Sequence, residues 1–338
     1  MPTSTNLNGL LGAFSSGERI FMSGGAGEVI PFTNAMAEGQ LPPLEVTTSF
    51  VPGVNTMPAQ VPQGTTVINP FPMRTSGAVR ALPLSYGGYS AWLGTQSFDT
   101  CIVHVAPPVR GRMASLGCSA EFSPVAMGRA RRIIAVVNPA MPDLPNAAHL
   151  DLDNVEMIAE IPHELCEYIV ETPSMAARAI AKHIACFVKD GAALQIGLGK
   201  VPDALIPMLV GRRQLRMQSG MISDSVRTLF DADALDPNWL HMSCVHVGTK
   251  AHYDWMRGRP NFAVLGCETT HDPGRLAKVN GLTAINSALE VDLFGQANLE
   301  FAGNRRISAV GGAADFARAA SLDPNGVSLI GLPSDRDD

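Results

Sequence analysis

GAALQIGLGKVPDALIPML, Gly191 to Leu209, is the stretch on which the fold turns: a glycine, an apolar strand, a glycine-rich turn, then a helix start that carries a proline. GERIFMSGGAGEVIPFTNAM, Gly17 to Met36, repeats that order, and a second glycine falls at the same offset in each, Gly25 and Gly199. Two related halves are therefore expected. Each turn could place backbone N–H groups at a helix N-terminus, the geometry that receives phosphate or an oxyanion, and each fits equally well a turn that needs glycine dihedrals.

Outward from these turns, strand and helix signals alternate. CIVHVAPP (101–108) and RRIIAVVN (131–138) are β-branched runs stopped by proline or Asn-Pro. Ser174 to Lys189 has apolar residues at helical spacing with Thr172 or Ser174 as a cap, AALQIG (192–197) follows as a strand, and HMSCVHVG (241–248) leads into a helical TKAHYDWM. Such alternation predicts an α/β protein with mainly parallel, helix-covered sheets. The boundary falls near ETPS, giving domains at 1–172 and 173–338. Residues 40–75, rich in Pro, Thr and Gly, read as long loops and edge strands, and His163-Glu164 as a surface helix start.

At 338 residues, 46% hydrophobic and 17% charged, the chain can bury the cores of two medium domains. A net charge of −6 without a Lys/Arg run argues against a nucleic-acid partner. No basic leader and no long apolar run is present, so a soluble cytoplasmic protein without a membrane partner is expected. Six scattered cysteines with no CxxC pair predict neither a disulfide framework nor a metal site. Gly197-Leu198-Gly199 lacks the third glycine of a dinucleotide fingerprint, so no nicotinamide is expected, and no flavin either.

Three later strings carry more chemistry. AINSALEVDLFGQAN (284–298) sets many polar groups in an apolar stretch, whose burial is costly unless they bond one another or a ligand. SAVGGAADFARAA (308–320) puts Gly311-Gly312 ahead of a helix whose first turn holds Asp315, an oxyanion or phosphate seat. The third is APPVRGRMASLGCS (106–119).

Together with SGERIFMSGGAG, VNPAMP, GMISDSV, VGTKAHYDWM, DPGRLAKVNG and SLIGLPS, these strings resemble the acetyl-CoA hydrolase/transferase family, the class I CoA-transferases that include 4-hydroxybutyrate and acetate CoA-transferases. The resemblance implies two NagB/RpiA-like α/β domains, an acyl-CoA site in the cleft between them, and a homo-oligomer, usually a dimer. It implies that Gly197, Leu198, Gly199, Asn286, Ser287, Gly311 and Gly312 hold coenzyme A and form an oxyanion hole. In that family a glutamate attacks the thioester and becomes a glutamyl-CoA intermediate. Its motif reads roughly His-Thr-Glu-Met-Ile-Ser-Asp-Gly, and aligned on Met221-Ile222-Ser223-Asp224 the glutamate position is Gly220.

Glycine cannot form an acyl anhydride, so the family's ping-pong transfer is not expected here. The first-domain loop carries Arg110 and Arg112 where relatives have acidic and histidine residues. These guanidiniums suit a carboxylate on the acyl group or the acceptor, and suit equally a solvated loop or the phosphates of CoA. The chain stops soon after SLIGLPS, so the second domain is expected to be truncated relative to the family. Ser219, Asp224 and Cys118 are the candidate catalytic groups, with Ser223 beside them. Cys118 reads also as a buried small residue, His246 as a core histidine, and Asp224 as a cap. A glutamate supplied from elsewhere, Glu121 or Glu268, is a further alternative. The expected function is thioester cleavage or acyl transfer by direct attack of water or of an unidentified acceptor; the alternative is a non-catalytic CoA-binding or scaffold homologue.

Overall fold

Eight short strands rich in aliphatic and β-branched residues open the chain: β1 (Thr3–Thr5), β2 (Arg19–Met22), β3 (Glu45–Thr48), β4 (Thr66–Asn69), β5 (Val79–Ala81), β6 (Phe98–Val105), β7 (Ala130–Val137) and β8 (Met157–Glu160). In this computed structural model, which describes residues 2–56, 60–71, 78–109, 111–169 and 172–334, they form one parallel sheet in the order β1-β8-β7-β6-β2-β3-β4-β5. Successive side chains point to opposite faces of a strand. Ile20 and Met22 accordingly join Phe32, Ile102 and Ile134 in one apolar cluster, while Phe21 on the other face joins Cys101, Val103 and Ala135 in a second. Burial on both faces is what a parallel sheet requires.

The second unit holds β9 (Ala193–Ile196), β10 (Arg216–Met217), β11 (Met221–Ile222), β12 (His241–Ser243), β13 (Val245–His246), β14 (Phe262–Val264), β15 (Leu282–Ser287) and β16 (Val327–Gly331). Its sheet is parallel in the order β10-β9-β15-β16, and β11 pairs with β13 and β12 with β14, also in parallel. Ser174 caps the helix Met175–Ala185 through the N–H of Ala177. The two glycine turns are realised alike, with φ of 53° at Gly25 and 124° at Gly199, each leading to a helix, Ile30–Ala37 and Lys200–Leu205.

The units are joined through backbone. The N–H groups of Ala120 and Glu121 donate to the Cys244 carbonyl, both at 3.1 Å, and His246 N–H donates to the Cys118 carbonyl at 2.8 Å. Tyr86 N–H donates to the Gly311 carbonyl at 3.0 Å, and the Asp315 carboxylate accepts from Ser85 Oγ and Gly87 N–H, both at 3.0 Å. The cluster holding Phe21 and Phe122 runs on without a break through Phe262 and Ile285 of the second unit. No helix among the described residues is long and apolar enough to cross a membrane.

Four local expectations are corrected. β3 lies inside the sheet, between β2 and β4, and not at its edge. His163-Glu164 starts no helix; His163 Nδ1 instead turns back to the Ile161 carbonyl at 2.8 Å. The run 241–248 is two strands broken at Cys244, the residue that contacts the first unit. Residues 289–306 are not buried: they form two antiparallel hairpins on the surface, with Leu293 and Phe294 at 103% and 92% exposure.

His241 joins β10 to β12, since its Nδ1 accepts the Met217 N–H at 3.2 Å. Burial lowers its pKa from 6.5 to about 4, so between those values the unfolded chain binds a proton that the native state refuses, and stability falls as pH drops through that window. His241→Gln is expected to flatten this fall by up to about 1.4 kcal/mol per pH unit, read from urea midpoints at pH 7 down to pH 4. An unchanged slope would show that the imidazole titrates alike in both states.

Candidate functional site

A cavity of ≈ 230 Å³ lies between the units, beyond the carboxyl ends of β9, β10 and β15, the position where open α/β sheets take ligands. Phe71 and Tyr86 come to it from the first unit. The second unit supplies Gly197 and Leu198 after β9, Gly220 between β10 and β11, and Asn286 and Ser287 at the end of β15. Gly311 and Gly312 close the far wall. Six of the seven residues expected to hold a cofactor thus line one space; Gly199, which starts the next helix, does not.

Two features make the wall polar. Asn286 and Gln195, both buried on neighbouring strands, exchange amide hydrogen bonds at 3.0 and 3.3 Å, which fixes the Asn286 side chain at the cavity edge. Gly312 precedes the helix Ala313–Leu322 without any side-chain cap, so first-turn N–H groups there lack an intrahelical acceptor. Asp315 in that turn is not free for a ligand, because Ser85 and Gly87 hold it; burial raises its pKa.

At Gly220 the backbone is fixed by its carbonyl, which accepts from Cys244 N–H at 2.9 Å, Val245 N–H at 3.2 Å and the Cys244 thiol at 3.0 Å. The side-chain direction is occupied. A β-carbon at position 220 would lie 3.0 Å from His271 Nε2, and one at position 312 would lie 2.7 Å from the same nitrogen. Glycine at both positions is what admits the imidazole.

His271 was not singled out by the sequence reading. Its ring lies between Tyr86 and Phe316, with centroids 5.1 Å from each. Nδ1 contacts Thr270 Oγ1 at 2.9 Å, and Nε2 is buried without a hydrogen-bond partner. Burial lowers the pKa to about 3, so the ring is neutral at pH 7. The signal lay in CETTHDPG: Cys267 and His271 stand one helical turn apart, a spacing that places both side chains on one face.

Cys244, Cys267 and His271 offer three ligand atoms that all lie within 4.8 Å of one another, every residue being buried. No CxxC spacing announces this group, because Cys244 reaches it from the β12–β13 junction and the other two from a separate helix. Around it lie Tyr86, whose hydroxyl is buried without a partner, and Glu121. Burial lifts the Glu121 carboxyl to about 7; one of its oxygens accepts from Ser49 Oγ at 2.7 Å and the other has no partner.

The candidate catalytic groups sit elsewhere. The Ser219 hydroxyl is buried and bonded to the carbonyls of Ile196 and Met221 at 3.0 and 2.9 Å. Ser223 Oγ meets Ser225 Oγ at 2.8 Å. Asp224 accepts from the N–H and hydroxyl of Thr249 at 3.0 and 2.7 Å, holding the start of the helix Lys250–Met256. Cys118 is fully buried at the junction of the units, its thiol pKa pushed up by burial. His246 is a buried strand residue with Nδ1 3.2 Å from His252 Nε2. Arg112 pairs with Asp153 at 2.9 Å on a different surface, and Arg110 lies outside the described residues. None of the described ones among these lines the cavity, nor does Glu121 or Glu268.

Comparison with known proteins fits this arrangement. The acetyl-CoA hydrolase/transferase C-terminal domain family matches residues 248–338. The 4-hydroxybutyrate coenzyme A transferase of Clostridium kluyveri is 32% identical over 242 residues, covering 70% of this chain and 56% of that protein. An acetyl-CoA hydrolase of Eremothecium gossypii is 24% identical over 304 residues, covering 73% and 58%. The chain spans about half the length of the curated relatives it matches. Among solved structures, RipA from Yersinia pestis superposes with a TM-score of 0.83 at 21% identity, covering 99% of this chain and 82% of that one. The 4-hydroxybutyrate CoA-transferase of Porphyromonas gingivalis gives 0.78 at 21%, covering 97% and 80%. On these matches and this two-unit α/β architecture, residues 248–338 belong to the acetyl-CoA hydrolase/transferase C-terminal domain family, and the chain as a whole has the CoA-transferase fold.

Proposed function

We propose that the protein cleaves or transfers the acyl group of an acyl-CoA by direct attack of water or an acceptor nucleophile, without a glutamyl-CoA intermediate. The observation that carries this reading is the wall at Gly220, the position where the sequence resemblance puts the family's nucleophilic glutamate. Gly220 stands in the cavity wall without a carboxylate, and the space a side chain would need holds the His271 ring. No other carboxylate lines the cavity among the described residues.

Binding and polarisation remain available. Asn286, Ser287, Gly311 and Gly312 surround the space with amide and N–H donors suited to a thioester oxygen, Gly197 and Leu198 line it, and Gly199 supports the turn. A single such donor is worth roughly 2.7–4 kcal/mol of barrier in measured cases. At ≈ 230 Å³ the cavity falls short of the roughly 300–1,000 Å³ of drug-sized pockets, which suits the acyl group and thioester with the nucleotide of CoA lying outside. On this reading the chain divides at 172/173 and works as a cytoplasmic homo-oligomer, for which the exposed Leu293 and Phe294 offer an apolar surface.

The test is release of free CoA from a panel of short-chain acyl-CoAs, with and without a terminal carboxylate, with borohydride trapping read by intact mass. Free CoA without a trapped adduct is expected. No release from any member, with no CoA-induced thermal shift, would sink the reading and leave a scaffold role. A trapped glutamyl adduct would restore the family's covalent relay.

A steric outcome follows from the same position. Gly220→Ala brings a methyl group to 3.0 Å from a ring wedged between two aromatic side chains, and overpacking of this kind costs about 1–3 kcal/mol. The loss is expected to shrink in Gly220→Ala/His271→Ala, giving a double-mutant coupling above about 0.5 kcal/mol in urea unfolding. Additive effects would place the two residues out of contact.

A further inference from the structure

We propose that Cys244, Cys267 and His271 form a binding site for one thiophilic divalent cation, zinc by ligand preference, behind Gly220 and adjoining the cavity through His271. Two thiols and an imidazole are the donor set that zinc favours, and three protein ligands with the fourth position left to water is the arrangement of catalytic zinc. Their ligand atoms lie within 4.8 Å of one another and all three residues are buried. His271 Nδ1 contacts Thr270 Oγ1 at 2.9 Å, the kind of outer contact that orients a ligating histidine, and its Nε2 is buried without a partner and available to a metal.

The surroundings point the same way. Cys267 lies among Cys244, Glu121 and Glu268. On binding a dication the two thiols would lose their protons, and two thiolates with one divalent ion form a neutral unit; Cys244 would give up its thiol bond to the Gly220 carbonyl, which keeps the Cys244 and Val245 N–H donors. The ion would also face the partnerless Tyr86 hydroxyl and Glu121 oxygen with charge. His271 and Gly220 both line the cavity, and glycine at 220 places no side chain between the cluster and that space.

The role in chemistry rests on the function proposed above. Water in the fourth position loses a proton to solvent, and the hydroxide formed adds to the thioester carbonyl carbon. The C–S bond then breaks, and CoA leaves as the thiolate and takes up a proton. The products are a carboxylate and free CoA, with one proton released overall. A lowered water pKa is what a zinc ion supplies at neutral pH.

The experiment uses the full chain purified from zinc-replete medium, with metal content by mass spectrometry, and the stripped protein titrated with Co²⁺. About one equivalent of zinc is expected, with thiolate-to-cobalt charge-transfer bands and intense tetrahedral d–d absorption. Cys267→Ser and His271→Gln should lose the zinc while keeping the circular dichroism and cooperative unfolding of the wild type. The wild-type cobalt spectrum alone decides the matter if either variant fails to fold. Substoichiometric zinc with no thiolate–cobalt band overturns the site, and zinc retained by both variants overturns these ligands. Bound zinc without CoA release from any thioester keeps the site and overturns the acyl-CoA reading. CoA release that survives complete removal of metal keeps the acyl-CoA reading and overturns the role of a zinc-bound hydroxide.

Discussion

Everything at the site depends on one short exchange of backbone hydrogen bonds across the two units. Cys244 is the pivot: its N–H and thiol hold the Gly220 carbonyl, while its own carbonyl takes the N–H groups of Ala120 and Glu121. Buried backbone groups must be paired, so neither partner can leave without stranding the other. The break between β12 and β13 at this residue is the local cost of serving both units, and it places Gly220 in the cavity wall. The same pivot brings the Cys244 thiol beside Cys267 and His271.

The groups behind the cavity wall are buried, and burial governs their chemistry. Burial keeps His271 neutral, raises Glu121 to about 7 and holds the Cys267 thiol protonated. Charge is therefore disfavoured on the groups in and behind the cavity wall, and charge that develops there is stabilised by fixed dipoles or a bound ion. The Asn286–Gln195 amide pair and the uncapped helix start at Gly312 are dipoles of that kind, held in place before any substrate arrives.

Much of this was legible in the sequence. The glycine turns at Gly25 and Gly199, the strands at 101–105 and 131–137 and the helix capped by Ser174 follow from local rules, since a left-handed dihedral, a β-branched run and a hydroxyl cap each act within a few residues. The cavity glycines and Asn286 were legible through a pattern spread along the chain. What could not be read depends on contacts between distant segments. Nothing near Ser219 says that its hydroxyl is spent on two carbonyls, and nothing near Arg112 announces Asp153. His271 escaped notice because its significance is the empty space at Gly220 and Gly312, which a sequence expresses only as two missing side chains.

The unbroken apolar core has a mechanical consequence. Units that share Phe21, Phe122, Phe262 and Ile285 in one packed cluster, with backbone bonds at 118–121 and at Gly311, cannot swing apart as rigid bodies without opening interior surface to water. The cleft is therefore a fixed jaw. Passage in and out must then be handled by local segments, and Leu299 and Ser308 to Val310, which line the cavity on either side of the hairpin Phe301–Arg306, are placed to do so.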